Sequence, residues 1–84
     1  MEHLDPFGSA LRDARKARGL TQQQASDAVG VTRTHWSQWE GGHIRPGHEN
    51  LVAIVSALGL SEDERDRLGS AYATPRHDAS SEAA

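Results

Sequence analysis

Glycines at positions 19, 30, 41, 42 and 59 divide this chain into short segments whose apolar residues recur at three- and four-residue intervals. A glycine just past such a stretch marks a helix end, because only a residue without Cβ turns left-handed at little cost. The segment openings agree. Asp5 precedes Pro6, whose missing N–H is harmless at a first helical position. Thr21 with Gln24, and Ser61 with Glu64, have the spacing of a capping box, and Thr32 stands ready to cap a third segment. Inside the segments, Phe7, Leu11 and Ala14 fall on one helical face, as do Ala25, Ala28 and Val29 in the second and Trp36 and Trp39 in the third. After a loop from His43 to Gly47, Leu51, Ile54, Val55 and Leu58 define a fourth stripe, and Leu68, Ala71 and Tyr72 a fifth. No stretch alternates with period two for long enough to suggest a strand. The reading is therefore an all-α, five-helix domain over residues 1–73, with residues 74–84 a small, polar tail expected to be disordered.

At 84 residues the chain has room for one domain with a modest core, and 36% hydrophobic residues suit a soluble fold. The absence of cysteine excludes a disulfide framework or thiolate metal site and fits a reducing, cytoplasmic setting. The first residues have neither the basic nor the apolar part of a signal peptide, and the longest apolar run, Leu51 to Val55, is far too short to span a bilayer. His35, His43 and His48 lack the i, i+4 spacing of a helical metal pair, so no metal is expected. No glycine-rich phosphate loop and no nucleophile–base pairing is legible, so neither a cofactor nor catalysis is expected.

The net charge is −3, unevenly spread. Between Gly8 and Pro46 six basic residues (Arg12, Arg15, Lys16, Arg18, Arg33, Arg45) outnumber three acidic ones (Asp13, Asp27, Glu40). From Ser61 onward six acidic residues outnumber three basic ones. A basic front half is the one that would face a polyanion.

The densest information lies between Thr21 and Gly41: a short capped helix, a turn at Gly30-Val31-Thr32, and a second helix. At 100° per residue, Trp36 and Trp39 define the buried face of that second helix; Thr34, Ser37 and Gln38 point the other way, with Arg33 at its exposed start. The run from Thr21 through Ala25, Gly30 and Val31 to Thr32, followed by Trp36-Ser37-Gln38-Trp39-Glu40-Gly41-Gly42, resembles the Cro/C1-type (XRE) helix-turn-helix family. The resemblance extends from about Leu11 to Leu60. Two departures stand out: Ala25 and Ser26 replace the usual Leu and Ala, and Gly41-Gly42-His43 lacks the Lys or Arg often found there.

The resemblance implies a lambda-repressor-like fold, with the motif at about 21–40 and the helix over 32–40 lying in the major groove of double-stranded DNA. It implies base reading by Arg33, Thr34, Ser37 and Gln38, and phosphate contacts from Gln22, Thr32, His35, Gly41, His43 and Arg45. It also implies a structural pair between Arg15 and Glu40. Arg and Gln are the side chains that bond bidentately to guanine and adenine. Members of this kind pair on a pseudo-palindromic operator, and Leu60, Leu68 and Tyr72 are the apolar residues available for a homodimer. No small-molecule ligand is expected, since the residues outside the domain leave no room for a sensing domain. Two functions stay open. Gln22, Arg33 and Gln38 favour a sequence-specific transcriptional regulator, with repression favoured over activation. The net acidity and the lack of basic residues at 41–43 favour a protein-interaction module, such as an antitoxin-like domain, that keeps the fold without specific DNA binding.

Overall fold

The structure, a computed structural model, describes residues 5–73. The tail at 74–84, expected to be disordered, lies outside the described residues, as do residues 1–4. Five helices follow in order: α1 (Pro6–Ala17), α2 (Gln22–Val29), α3 (Arg33–Gly41), α4 (His48–Leu58) and α5 (Glu62–Ala73), with no strand among the described residues.

Local chemistry sets the helix ends. The Asp5 carboxylate accepts the Gly8 N–H at 3.0 Å. The Thr21 hydroxyl accepts the Gln24 N–H at 3.0 Å while the Gln24 side chain accepts the Thr21 N–H at 2.9 Å. Ser61 and Glu64 repeat the exchange at 3.2 and 2.8 Å. Such caps satisfy donors a helix start leaves open, and removing one costs about 0.5–2 kcal/mol. Gly30 and Gly42, at φ of 90° and 81°, close α2 and α3 in the left-handed region that a side chain would strain. The third helix continues through Gly41, so the break falls on the second of the two glycines.

Helix α1 packs on α3 and α5, while α2 packs on α3 and α4. Phe7, Leu11, Trp36, Ile54 and Leu68 are almost wholly buried, each worth about 1.5–3 kcal/mol of transfer from water. Gly8 is what lets α1 lie against the end of α3: a Cβ there would collide with the Glu40 carbonyl oxygen.

Two expectations change. Leu60, Leu68 and Tyr72, expected as apolar residues available for a homodimer, do not stand free as an apolar surface. Leu60 and Leu68 are buried, and Tyr72 turns its ring edge-on to Phe7 at 5.6 Å while its hydroxyl donates to the Pro46 carbonyl at 2.8 Å. The packing of α5 on α1 consumes that stripe within one copy of the chain. In α2 the buried residues are Ala25 and Ser26, Val29 is half-buried against the core, and Ala28 is exposed. Ser26 tolerates burial because its hydroxyl donates to the Gln23 carbonyl at 2.9 Å.

Candidate functional site

The inward side of α3 is closed by polar bonds as well as apolar packing. Trp36 and Trp39 are buried with their rings 5.9 Å apart. Beside them the Glu40 carboxylate, its side chain 4% exposed, accepts from Arg15 Nε at 2.6 Å, Arg15 Nη2 at 3.1 Å, Gln22 Nε2 at 3.0 Å and Trp36 Nε1 at 2.5 Å. Burial alone would push this carboxyl up. The hydrogen bonds from Arg15, Gln22 and Trp36, with the Arg15 charge, outweigh it and hold the group below the usual carboxylate range. Arg15 also donates to the Leu20 carbonyl at 2.8 Å, so one buried cluster fixes α1, α2 and α3 against one another.

The opposite side of α3 is open. Arg33, Thr34, Ser37 and Gln38 together line a surface depression of about 200 Å³. Arg33, Thr34 and Ser37 are exposed and Gln38 is half-buried. Among the described residues, no hydrogen bond or ion pair engages any of the four side chains. Thr32, just before them, uses its γ-oxygen to accept the His35 N–H at 3.2 Å, which orients the start of the helix. A guanidinium fork, a carboxamide and two hydroxyls on one rigid helix face offer donors and acceptors in a fixed pattern, the chemistry needed to read base edges.

The flanking candidates divide. His35 and His43 are exposed at the two ends of α3, and Gly41 is exposed in its last turn. Gln22 sits in the first turn of α2 with one amide N–H given to Glu40, a role inside the motif that sequence spacing does not reveal. Arg45 does not reach this face. Its guanidinium donates to the Asp5 carboxylate at 2.9 Å and to the Tyr72 carbonyl at 3.0 Å, and lies 5.9 Å from the Phe7 ring centre. That placement corrects the phosphate-contact expectation for Arg45: the cation joins the loop after α3 to the start of α1 and the end of α5. Arg18 is spent likewise, bonding to the Leu58 and Gly59 carbonyls and to Glu64. Neither role has a local signal, because these partners lie 40 or more residues away except for the 27 between Arg45 and Tyr72. Among the described residues no group of three His, Cys, Asp or Glu side chains comes together to hold a metal ion, and no helix is long and apolar enough to cross a membrane.

With this geometry in place, the chain can be set beside known proteins. A sequence profile described as a helix-turn-helix domain matches residues 6–68. The chain is 43% identical over 54 residues to the cryptic phage CTXphi transcriptional repressor RstR of Vibrio cholerae, an overlap of 64% of this chain and 48% of RstR. It is 37% identical over 57 residues to repressor protein C2 of Salmonella phage P22, or 68% of this chain and 26% of C2. It therefore spans about half the length of RstR and about a quarter of C2. Among solved structures, that of the clp gene regulator ClgR from C. glutamicum matches with a TM-score of 0.69 at 32% identity, covering 84% of this chain and 92% of that one.

Proposed function

The chain belongs to the helix-turn-helix domain family, and from that premise we propose that it binds duplex DNA sequence-specifically and regulates transcription as a repressor. The observation that carries this reading is the open face of α3, where four polar side chains share a depression and have no internal partner among the described residues. Repression is favoured because RstR and C2 are both repressors by name. In this reading α3 lies in the major groove. Arg33 forks onto guanine O6 and N7, Gln38 pairs with adenine N6 and N7, and the Thr34 and Ser37 hydroxyls complete the pattern. Phosphates on either side are met by the second amide N–H of Gln22, the Thr32 hydroxyl, His35, the backbone at Gly41, and His43. Arg45 is left out of that set, since its guanidinium is held by Asp5 and Tyr72. The chain acts by binding rather than by catalysis, and it works in the cytoplasm, where the DNA is. Two copies would occupy a pseudo-palindromic operator with half-sites about one helical turn apart.

Selection of bound duplexes from a random pool, followed by titration of the winner at two salt concentrations, tests this reading. Enrichment of one motif with a salt-dependent affinity is expected, and two inverted copies of it would give the spacing of the pair. Folded protein that enriches no sequence, even at low salt, would overturn it in favour of a protein-interaction role.

A further inference from the structure

Of the nine lysines and arginines in the chain, Arg15, Arg18, Arg45 and Arg67 pair internally with Glu40, Glu64, Asp5 and Asp13, and Arg76 lies outside the described residues. Among the described residues, no hydrogen bond or ion pair engages the side chains of the other four, Arg12, Lys16, Arg33 and Arg65. Arg33 belongs to the open face of α3. Arg12 and Lys16 lie four residues apart, on one flank of α1.

That flank has a direction. A Cβ at Gly8 would collide with the Glu40 carbonyl oxygen and stand 3.0 Å from that of Trp39, so the Gly8 side of α1 abuts the C-terminal end of α3. Two turns on, on the same side, Arg15 reaches the Glu40 carboxylate, which also receives the Gln22 side chain from the first turn of α2. At 100° per residue Arg12 stands about 40° round from Gly8, away from the core, and Lys16 about 40° further out. Their accessibility agrees: Arg12 is half-buried and Lys16 exposed. The two free cations therefore border the seam where α1 meets the end of α3 and the start of α2. The carboxylates nearest in this part of the fold, Asp13 and Glu40, are each matched by an arginine. By contrast, α3 has one Lys or Arg, Arg33 at its start, and positions 41–43 at its end have none. With a net charge of −3, the chain can meet a polyanion only through a locally basic face. The flank of α1 beside the end of α3 holds the cations that α3 and its loop lack.

We propose that Arg12 and Lys16 form a phosphate grip on α1, continuing past the Glu40 cluster the DNA-backbone contact assigned to Gln22 and replacing the charge absent from positions 41–43. This rests on the DNA-binding reading above. Cations on phosphate position a protein on the duplex without reading its bases, and each such contact adds about 0.9 to the slope of log K against log salt. Arg12 and Lys16 therefore set affinity and its salt dependence, while Arg33 and Gln38 set sequence preference.

The test takes the duplex found by selection and measures that slope for the unsubstituted protein and for variants whose helical content circular dichroism shows to be intact. Arg12→Gln and Lys16→Gln should each lower the slope by about 0.9 per bound copy. Each should also weaken the preferred duplex and one altered in sequence by the same factor. Arg12→Lys, which keeps the charge, should keep the slope. Arg65 is the control. It is exposed and stands about 200° round α5 from Arg67, which Asp13 draws toward α1, so it lies on the other side of α5. Arg65→Gln should leave the slope unchanged. An unchanged slope in either Arg12→Gln or Lys16→Gln, or an equal fall in Arg65→Gln, overturns this proposal alone. Absence of sequence-specific binding by the unsubstituted protein overturns the DNA-binding reading and this proposal with it.

Discussion

On the inward side of α3 one carboxylate accepts four hydrogen bonds from three residues; on the outward side four polar side chains have no internal partner among the described residues. The two arginines that serve these sides show what the difference means. Arg15 is 11% exposed and bonded to Glu40 and the Leu20 carbonyl, whereas Arg33 is exposed over an open depression. Buried, the guanidinium fork fixes the angle of α3 against α1 and α2, because an ion pair removed from water holds only in good geometry. Exposed, the same fork is fully available to a partner outside the chain. Each side is served by an arginine, and accessibility decides whether its charge becomes rigidity or recognition.

The comparison breaks most sharply at Glu40. Glu40→Ala leaves a guanidinium, an amide N–H and an indole N–H without their acceptor in a buried site. The expected loss is about 3–5 kcal/mol, a large fraction of the roughly 5–15 kcal/mol that holds a typical domain. Urea denaturation measures it. A loss below about 1 kcal/mol would mean that water replaces the carboxylate and that packing of the two tryptophans alone sets the helix angle.

Arg33→Ala probes the other side, with the opposite division of effects. Stability should stay within about 0.5 kcal/mol, as for a surface change without internal contacts. Discrimination at one base pair should fall by about 1–3 kcal/mol, read by titrating the preferred duplex against one altered at that position. If the variant instead weakens all duplexes equally and lowers the salt slope by about one, Arg33 grips a phosphate and base reading belongs to the rest of the face.

Legibility in the sequence divides along the same line. Caps and glycine stops depend on residues three or four apart, so Thr21 with Gln24, Ser61 with Glu64, and Gly30 can be read from the chain alone. The division of α3 into two faces can be read too, because the helical period and two tryptophans suffice to fix it. Destinations of long side chains cannot. Arg45 and Gln22 carry the same local signals whether they meet phosphate or turn inward, and their partners, Asp5 with Tyr72 and Glu40, are brought near only by tertiary packing. Leu68 and Tyr72 likewise form an apolar stripe in either setting; the packing of α5 on α1, unreadable from α5 alone, turns the stripe inward. Ser26 has the polarity of an outward residue, yet a hydroxyl that bonds back to the Gln23 carbonyl needs no water.

The smallest expected effect belongs to another carboxylate, away from both faces of α3, and it separates half-buried pairing from fully buried pairing. Glu64 accepts from Arg18 Nη1 at 2.8 Å and Nη2 at 2.7 Å, and from the Ser61 N–H at 2.8 Å. The Arg18 hydrogen bonds first, then the Ser61 backbone, lower its carboxyl from the ordinary 4.5 to about 2. The folded value lies below the unfolded one, so the unfolded chain takes up the proton first. This contribution is whole above pH 4.5 and is lost as pH falls toward about 2. Glu64→Gln, which cannot titrate, should therefore melt below the unsubstituted protein at neutral pH and converge on it through that acid window. A constant gap in melting temperature would mean that the carboxylate charge contributes nothing and that the glutamine variant lacks only a contact of fixed strength. Since Glu40 is shifted in the same direction inside the α3 cluster, acid sensitivity that persists in Glu64→Gln is expected and would reside partly there. The variant thus isolates the half-buried pair and leaves the buried one to be read from what remains.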